Sequence, residues 1–105
     1  MTKLLALLVL SSPPQTASED VANKIEQSIA CSVYALVAAT HVPAESLKVQ
    51  WREKSISWSI SANQFGASEH DHALMSEKTF EQFEELTEGE RLAAASYHYR
   101  NGGCS

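Results

Sequence analysis

Residues Ile29 to Ala39 read Ile-Ala-Cys-Ser-Val-Tyr-Ala-Leu-Val-Ala-Ala, eleven positions with almost no polar face. A helix that is apolar all round has to be covered on more than one side. This run therefore constrains the fold more than any other stretch. Upstream, Thr16, Ser18, Glu19 and Asp20 supply hydroxyl caps and first-turn acids, and Thr16 to Glu19 has capping-box spacing. A helix is predicted from Ser18 to Thr40, with Val21, Ile25, Ile29, Val33 and Leu36 on one face and Val42-Pro43 ending it.

The next segment alternates strictly. Leu47, Val49 and Trp51 are spaced by polar residues, and Ile56, Trp58 and Ile60 are spaced by Ser55, Ser57, Ser59 and Ser61. Period two with β-branched and aromatic residues predicts two strands. Pairing across Glu53-Lys54 would set Trp51 opposite Ile56, Val49 opposite Trp58 and Leu47 opposite Ile60, with all six on one buried face. Glu-Lys is poor chemistry for a tight hairpin turn, and a bulged loop would shift that register. The four serines would form an uncharged outer face.

Residues 62–75 are expected to form a loop. A helix is predicted from Ser76 to Glu85, with Phe80 and Phe83 inward. Thr87 and Glu90 have capping-box spacing for a last helix that buries Leu92, Ala95, Ser96 and Tyr99 and stops at Asn101-Gly102-Gly103.

The N-terminal run Leu4 to Leu10 follows a single Lys3 and precedes Ser-Ser-Pro-Pro. It is too short to span a bilayer. We read it first as a buried strand and, as the alternative, as the apolar part of a signal peptide cleaved near Ala17. With the strand retained, the expected order is β-α-β-β-α-α. That is one α+β domain over residues 1–105, with a mixed or antiparallel sheet of about three strands and helices on one face.

The chain has 105 residues and a formal net charge of −5. Direct nucleic-acid binding needs clustered Lys and Arg, and docking on anionic lipid needs the same, so neither is expected. From Glu69 to Glu90 there are eight acids against Lys78 alone. Glu77, Glu81, Glu84, Glu85 and Glu88 form the candidate binding face, directed at a protein with a basic surface.

Chemistry is scarce. His70-Asp71-His72 is the weak candidate for metal, and it would need Glu69, His98 or Cys104 to complete a shell. There is no phosphate-cradling glycine loop and no nucleophile elbow. Cys31 and Cys104 are expected to be free thiols, Cys31 buried in a helix and Cys104 on a loose tail. A bond between them belongs to the alternative of an exported domain. The leading expectation is a cytoplasmic, non-catalytic, cofactor-free inhibitor, adaptor or assembly factor, with homodimerisation open. The alternatives are a periplasmic or secreted disulfide-bonded domain, and a metal-binding or catalytic protein using the His70/His72 segment.

Overall fold

The computed structural model describes the backbone from Thr2 to Ser105 and the side chains from Glu19 onward. The order is α1 (Thr2–His41), α2 (Glu45–Gln64), α3 (Glu69–Phe80), a single 3₁₀ turn (Glu81–Phe83) and α4 (Glu88–Asn101). There is no strand among the described residues, so the expected α+β fold with its three-stranded sheet is replaced by an all-helical one. The backbone of the expected first strand belongs to α1. The side chains that bear on reading residues 1–17 as strand or leader lie outside the described set. No described helix is long and apolar enough to cross a membrane.

The largest correction concerns residues 46–61. They form one continuous helix, α2, instead of a hairpin. A hairpin needs a reversal at Glu53-Lys54, and neither residue supplies the positive φ of a tight turn. No described non-glycine residue has positive φ. Pro43 presets the entry, and Glu45 occupies the favourable first turn of α2. Short-period alternation then gives way to a different use of the same residues. Ser55, Ser59 and Ala62 recur at helical spacing and form a seam of small side chains. On α1, Ser28, Ser32, Ala35 and Ala39 recur in the same way.

The two seams meet. The Ser55 hydroxyl donates to the Ser32 carbonyl at 2.8 Å, and the Ser32 hydroxyl donates to the Ser55 carbonyl at 2.9 Å. The two hydroxyl oxygens are 3.1 Å apart. Side-chain oxygens can reach the neighbouring helix's carbonyls only if the backbones approach closely, which small residues permit. Ser28, Ser55 and Ala62 are all buried. Two of the serines expected on an outer face of the hairpin, Ser59 and Ser61, are half-buried, and of the four Ser57 alone is exposed.

The all-apolar half of α1 is enclosed as its sequence requires. Ile29, Cys31, Val33, Ala35, Val37, Ala38 and Ala39 are buried. Val33, Val37 and Ala38 pack against Phe83 and Ala95, with Tyr34, Trp51, Leu86 and Leu92 at the edge. Toward the other end, Ile25, Ile29 and Ala62 pack with Ala67 and Met75. Burying a side chain such as Ile29 contributes about 2–3 kcal/mol. Leu36 and Val21, expected inward, are exposed instead.

α4 matches its sequence signals. The Thr87 hydroxyl accepts from the Glu90 amide, and the Glu90 carboxylate accepts from the Thr87 amide at 2.9 Å. Ala95 and Tyr99 face the core, and Gly102 follows the last turn. The helix expected from Ser76 to Glu85 starts earlier, at Glu69, and gives way to the 3₁₀ turn after Phe80. Ser68 and Asp71 form a second capping box that sequence inspection missed. That capping box converts half of the expected loop into helix.

The two cysteines are joined. Cys31 in α1 and Cys104 beyond α4 form a disulfide with Cα atoms 5.6 Å apart, and both are buried. The expected pair of free thiols is thereby replaced by the bonded alternative. The expected loose tail turns back at Gly102 and Gly103. Gly103 has φ +79°, and a Cβ there would meet the Gln27 amide nitrogen at 2.5 Å. That Gln27 amide donates to the carbonyls of Gly102 and Gly103 at 3.3 and 3.2 Å, which fixes the path into Cys104.

Candidate partner-binding surface

The expected acidic residues cluster at one connection of the fold. Glu77 lies on α3, Glu81 opens the 3₁₀ turn, Glu84 and Glu85 follow it, and Glu88 opens α4. All five side chains are exposed. Among the described residues the ion pair formed is Lys24 with Asp20 at 3.4 Å, on α1. The five carboxylates therefore keep their charge uncompensated by an internal cation, and none of them is used to cap a helix.

Arg91 shapes this connection without pairing with it. Its Nε donates to the Phe83 carbonyl at 2.9 Å, and its Nη2 donates to the Glu84 carbonyl at 3.0 Å. The guanidinium thus ties the two carbonyls where the 3₁₀ turn ends, the Phe83 carbonyl also accepting from the Leu86 amide at 3.1 Å. Pinned in this way, the turn buries Phe83 and leaves Phe80 38% exposed. Beside it opens a mostly apolar cleft of about 220 Å³, lined by Val37, Thr40, His41, Phe80, Phe83, Glu84 and Arg91. Glu84 is the one of the five acids in that lining, and an apolar recess with a carboxylate at its edge can take a large apolar side chain flanked by a cation. Sequence reasoning found the acids and missed the recess. The recess depends on the 3₁₀ turn, which has no clear local signal.

The candidate metal segment has another role. His70, Asp71 and His72 lie in the first turn of α3, not in a loop. The Asp71 carboxylate accepts from the Ser68 amide at 2.9 Å. That amide bond, then the contact with the Ser68 hydroxyl and the neighbouring His70 and His72, holds its carboxyl below the ordinary range. Glu90 is lowered in the same way by the Thr87 amide and hydroxyl. His72 Nε2 is 2.7 Å from the Asn63 side-chain oxygen and ties α3 to α2. No group of three or more His, Cys, Asp or Glu able to hold a metal ion exists among the described residues.

Near the end of α4, Tyr99 is buried and His98 half-buried, whereas Tyr97 is exposed. Trp58 Nε1 donates to the Tyr99 hydroxyl at 2.9 Å, and Trp51 meets the Tyr99 ring edge-on at 5.1 Å. His98 stacks on Tyr34 at 5.2 Å. Tyr34, Trp51, Trp58 and Tyr99 pack around the disulfide.

No protein-family model, curated protein or solved structure matches the chain.

Proposed function

We propose that this chain is a non-catalytic binding domain that uses the α3–α4 connection to hold a partner with a basic surface. The observation that carries this reading is the apolar recess formed by Val37, Phe80 and Phe83 with Glu84 in its lining, in a stretch of chain that carries four further exposed acids without an ion pair among the described residues. Opposite charge steers the encounter and selects the partner, and an apolar anchor in the recess supplies the contact that persists. Inhibitors, adaptors and assembly factors all work in this way.

A test uses the oxidised full chain against a displayed peptide library at 50 mM salt. Selected peptides are expected to carry Lys or Arg around one large apolar residue. Their affinity is expected to fall at least tenfold at 500 mM salt and in the variant Glu84→Lys/Glu85→Lys. Selection of acidic or uncharged sequences, or binding indifferent to both changes, refutes the proposal.

A second proposal concerns location. A buried disulfide between distant segments suits an oxidising compartment better than the cytoplasm. We therefore favour the periplasmic or secreted alternative over the cytoplasmic one. The leader-like pattern of Lys3, Leu4–Leu10 and Ala17 agrees with it. Mass spectrometry on the protein from its natural source, alkylated under denaturing conditions, is the check. A mature N-terminus near Ser18 with two blocked cysteines supports export. An intact Met1 with two alkylated cysteines rules it out.

A further inference from the structure

α2 is apolar on two faces, and the fold uses only one of them. Ser55 and Ala62 are buried and Trp51 and Trp58 are half-buried toward α1 and α4. On the opposite side Val49, Ile56 and Ile60 are 44%, 55% and 50% exposed. At 100° per residue these three fall within a wedge of about 40°, one continuous stripe about 16 Å long. β-branched residues are poor choices for a solvated helix surface, since they lower helix propensity and contribute no burial there.

Charge flanks the stripe asymmetrically. Arg52 lies about 60° to one side of it and Glu53 about 40° to the other. Both are exposed, and neither is ion-paired among the described residues. Two copies of α2 related by a two-fold axis parallel to the helix put one flank against the opposite flank of the other at the same height. Arg52 of each copy then meets Glu53 of the other, twice. Val49, Ile56 and Ile60 each meet their own counterpart on the axis. An antiparallel pair instead brings like flanks together, Arg52 toward Arg52 and Glu53 toward Glu53. The charges therefore discriminate between the two arrangements.

We infer that the outward face of α2 is a self-association surface, pairing two copies of this chain in parallel. A twenty-residue helix offers a face about 30 Å long and roughly 10 Å wide. That is well below the ~800 Å² per partner of a long-lived interface. The pairing is accordingly weak and dynamic, with Kd on the order of 10–100 µM. The acidic connection between α3 and α4 is a separate surface, and the inference does not depend on it.

Sedimentation equilibrium on the oxidised full chain from 10 µM to 1 mM tests this. The wild type is expected to move from monomer to dimer across that range. Ile56→Lys is expected to remain monomeric with an unchanged circular dichroism spectrum, since the position is exposed. Arg52→Glu and Glu53→Arg are each expected to weaken pairing at least threefold, and the double reversal to restore it. Ile56→Cys is expected to yield a covalent dimer on oxidation. A wild type that stays monomeric at 1 mM overturns the inference, and so does a dimer indifferent to Ile56→Lys. Failure of the double reversal to rescue overturns the parallel arrangement. Protection of α2 by lipid vesicles in a monomeric chain would assign the stripe to a membrane surface instead.

Discussion

Replacing both cysteines by alanine isolates the contribution of the Cys31–Cys104 bond. The bond closes a loop between residues 73 apart in sequence. In the chain-entropy description the cross-link lowers the entropy of the unfolded chain by a constant plus 1.5R ln n. For a loop of this length that is about 4.4 kcal/mol at 25 °C. Alanine was chosen over serine because both sulfurs are buried, and a serine hydroxyl would have to find a partner there. The lost sulfur contacts add a smaller penalty of the same sign. For a domain of this size each kcal/mol lowers the melting temperature by roughly 4–8 °C. Cys31→Ala/Cys104→Ala is therefore expected to melt about 18–35 °C below the oxidised wild type, by circular dichroism at 222 nm. Wild type with a strong phosphine reductant should approach the variant. A drop under about 5 °C would refute the reasoning. It would mean that the tail and α1 stay close in the unfolded chain even without the bond.

Further predictions come from other contacts. Ser55→Leu wedges α1 and α2 apart at their closest approach and is expected to cost about 3 kcal/mol or more in urea unfolding, whereas Ser55→Ala costs about 1. Tyr99→Phe leaves the Trp58 N–H without its acceptor, and a loss of about 1–2 kcal/mol with altered tryptophan emission is expected. Ser68→Ala and Thr87→Ala each remove an N-cap and should cost about 1 kcal/mol. The depressed carboxyls of Asp71 and Glu90 contribute stability that is present above their unfolded values near pH 4 and lost as the pH falls through the lower folded values. The acid arm of a stability-versus-pH curve should therefore flatten in Asp71→Asn/Glu90→Gln.

The sequence spoke clearly where one physical signal dominated. The apolar run from Ile29 to Ala39 demanded enclosure on several sides and received it at most positions, with Leu36 left exposed. The Thr87/Glu90 box and the Gly102-Gly103 stop bounded α4 because each satisfies specific end groups of the helix. Residues 46–61 misled because period two and period 3.6 place the same serines differently. Read as strands, they lie outward. Read as a helix, Ser55, Ser59 and Ala62 align, and their value appears only beside the matching Ser28, Ser32 and Ala35 far away in sequence. Tertiary contact chose between them, with the absence of a turn residue at Glu53-Lys54 as the one local clue. Composition sufficed to find the acids from Glu77 to Glu88. The recess beside them was hidden because it depends on Arg91 gripping two carbonyls several residues upstream. The Cys31–Cys104 pairing was equally hidden, since it needed the tail to reverse at Gly103 and approach α1.

Cys104 comes after all four helices in the chain. Its thiol is therefore available to Cys31 only once the residues of all four helices have been made. Closing the bond is accordingly a late covalent step, and it ties the C-terminal tail to α1. A molecule caught before this last step would hold its helices loosely enough for proteases to enter at the α4 end. A chain released into an oxidising space would lose that vulnerability within a single chemical event.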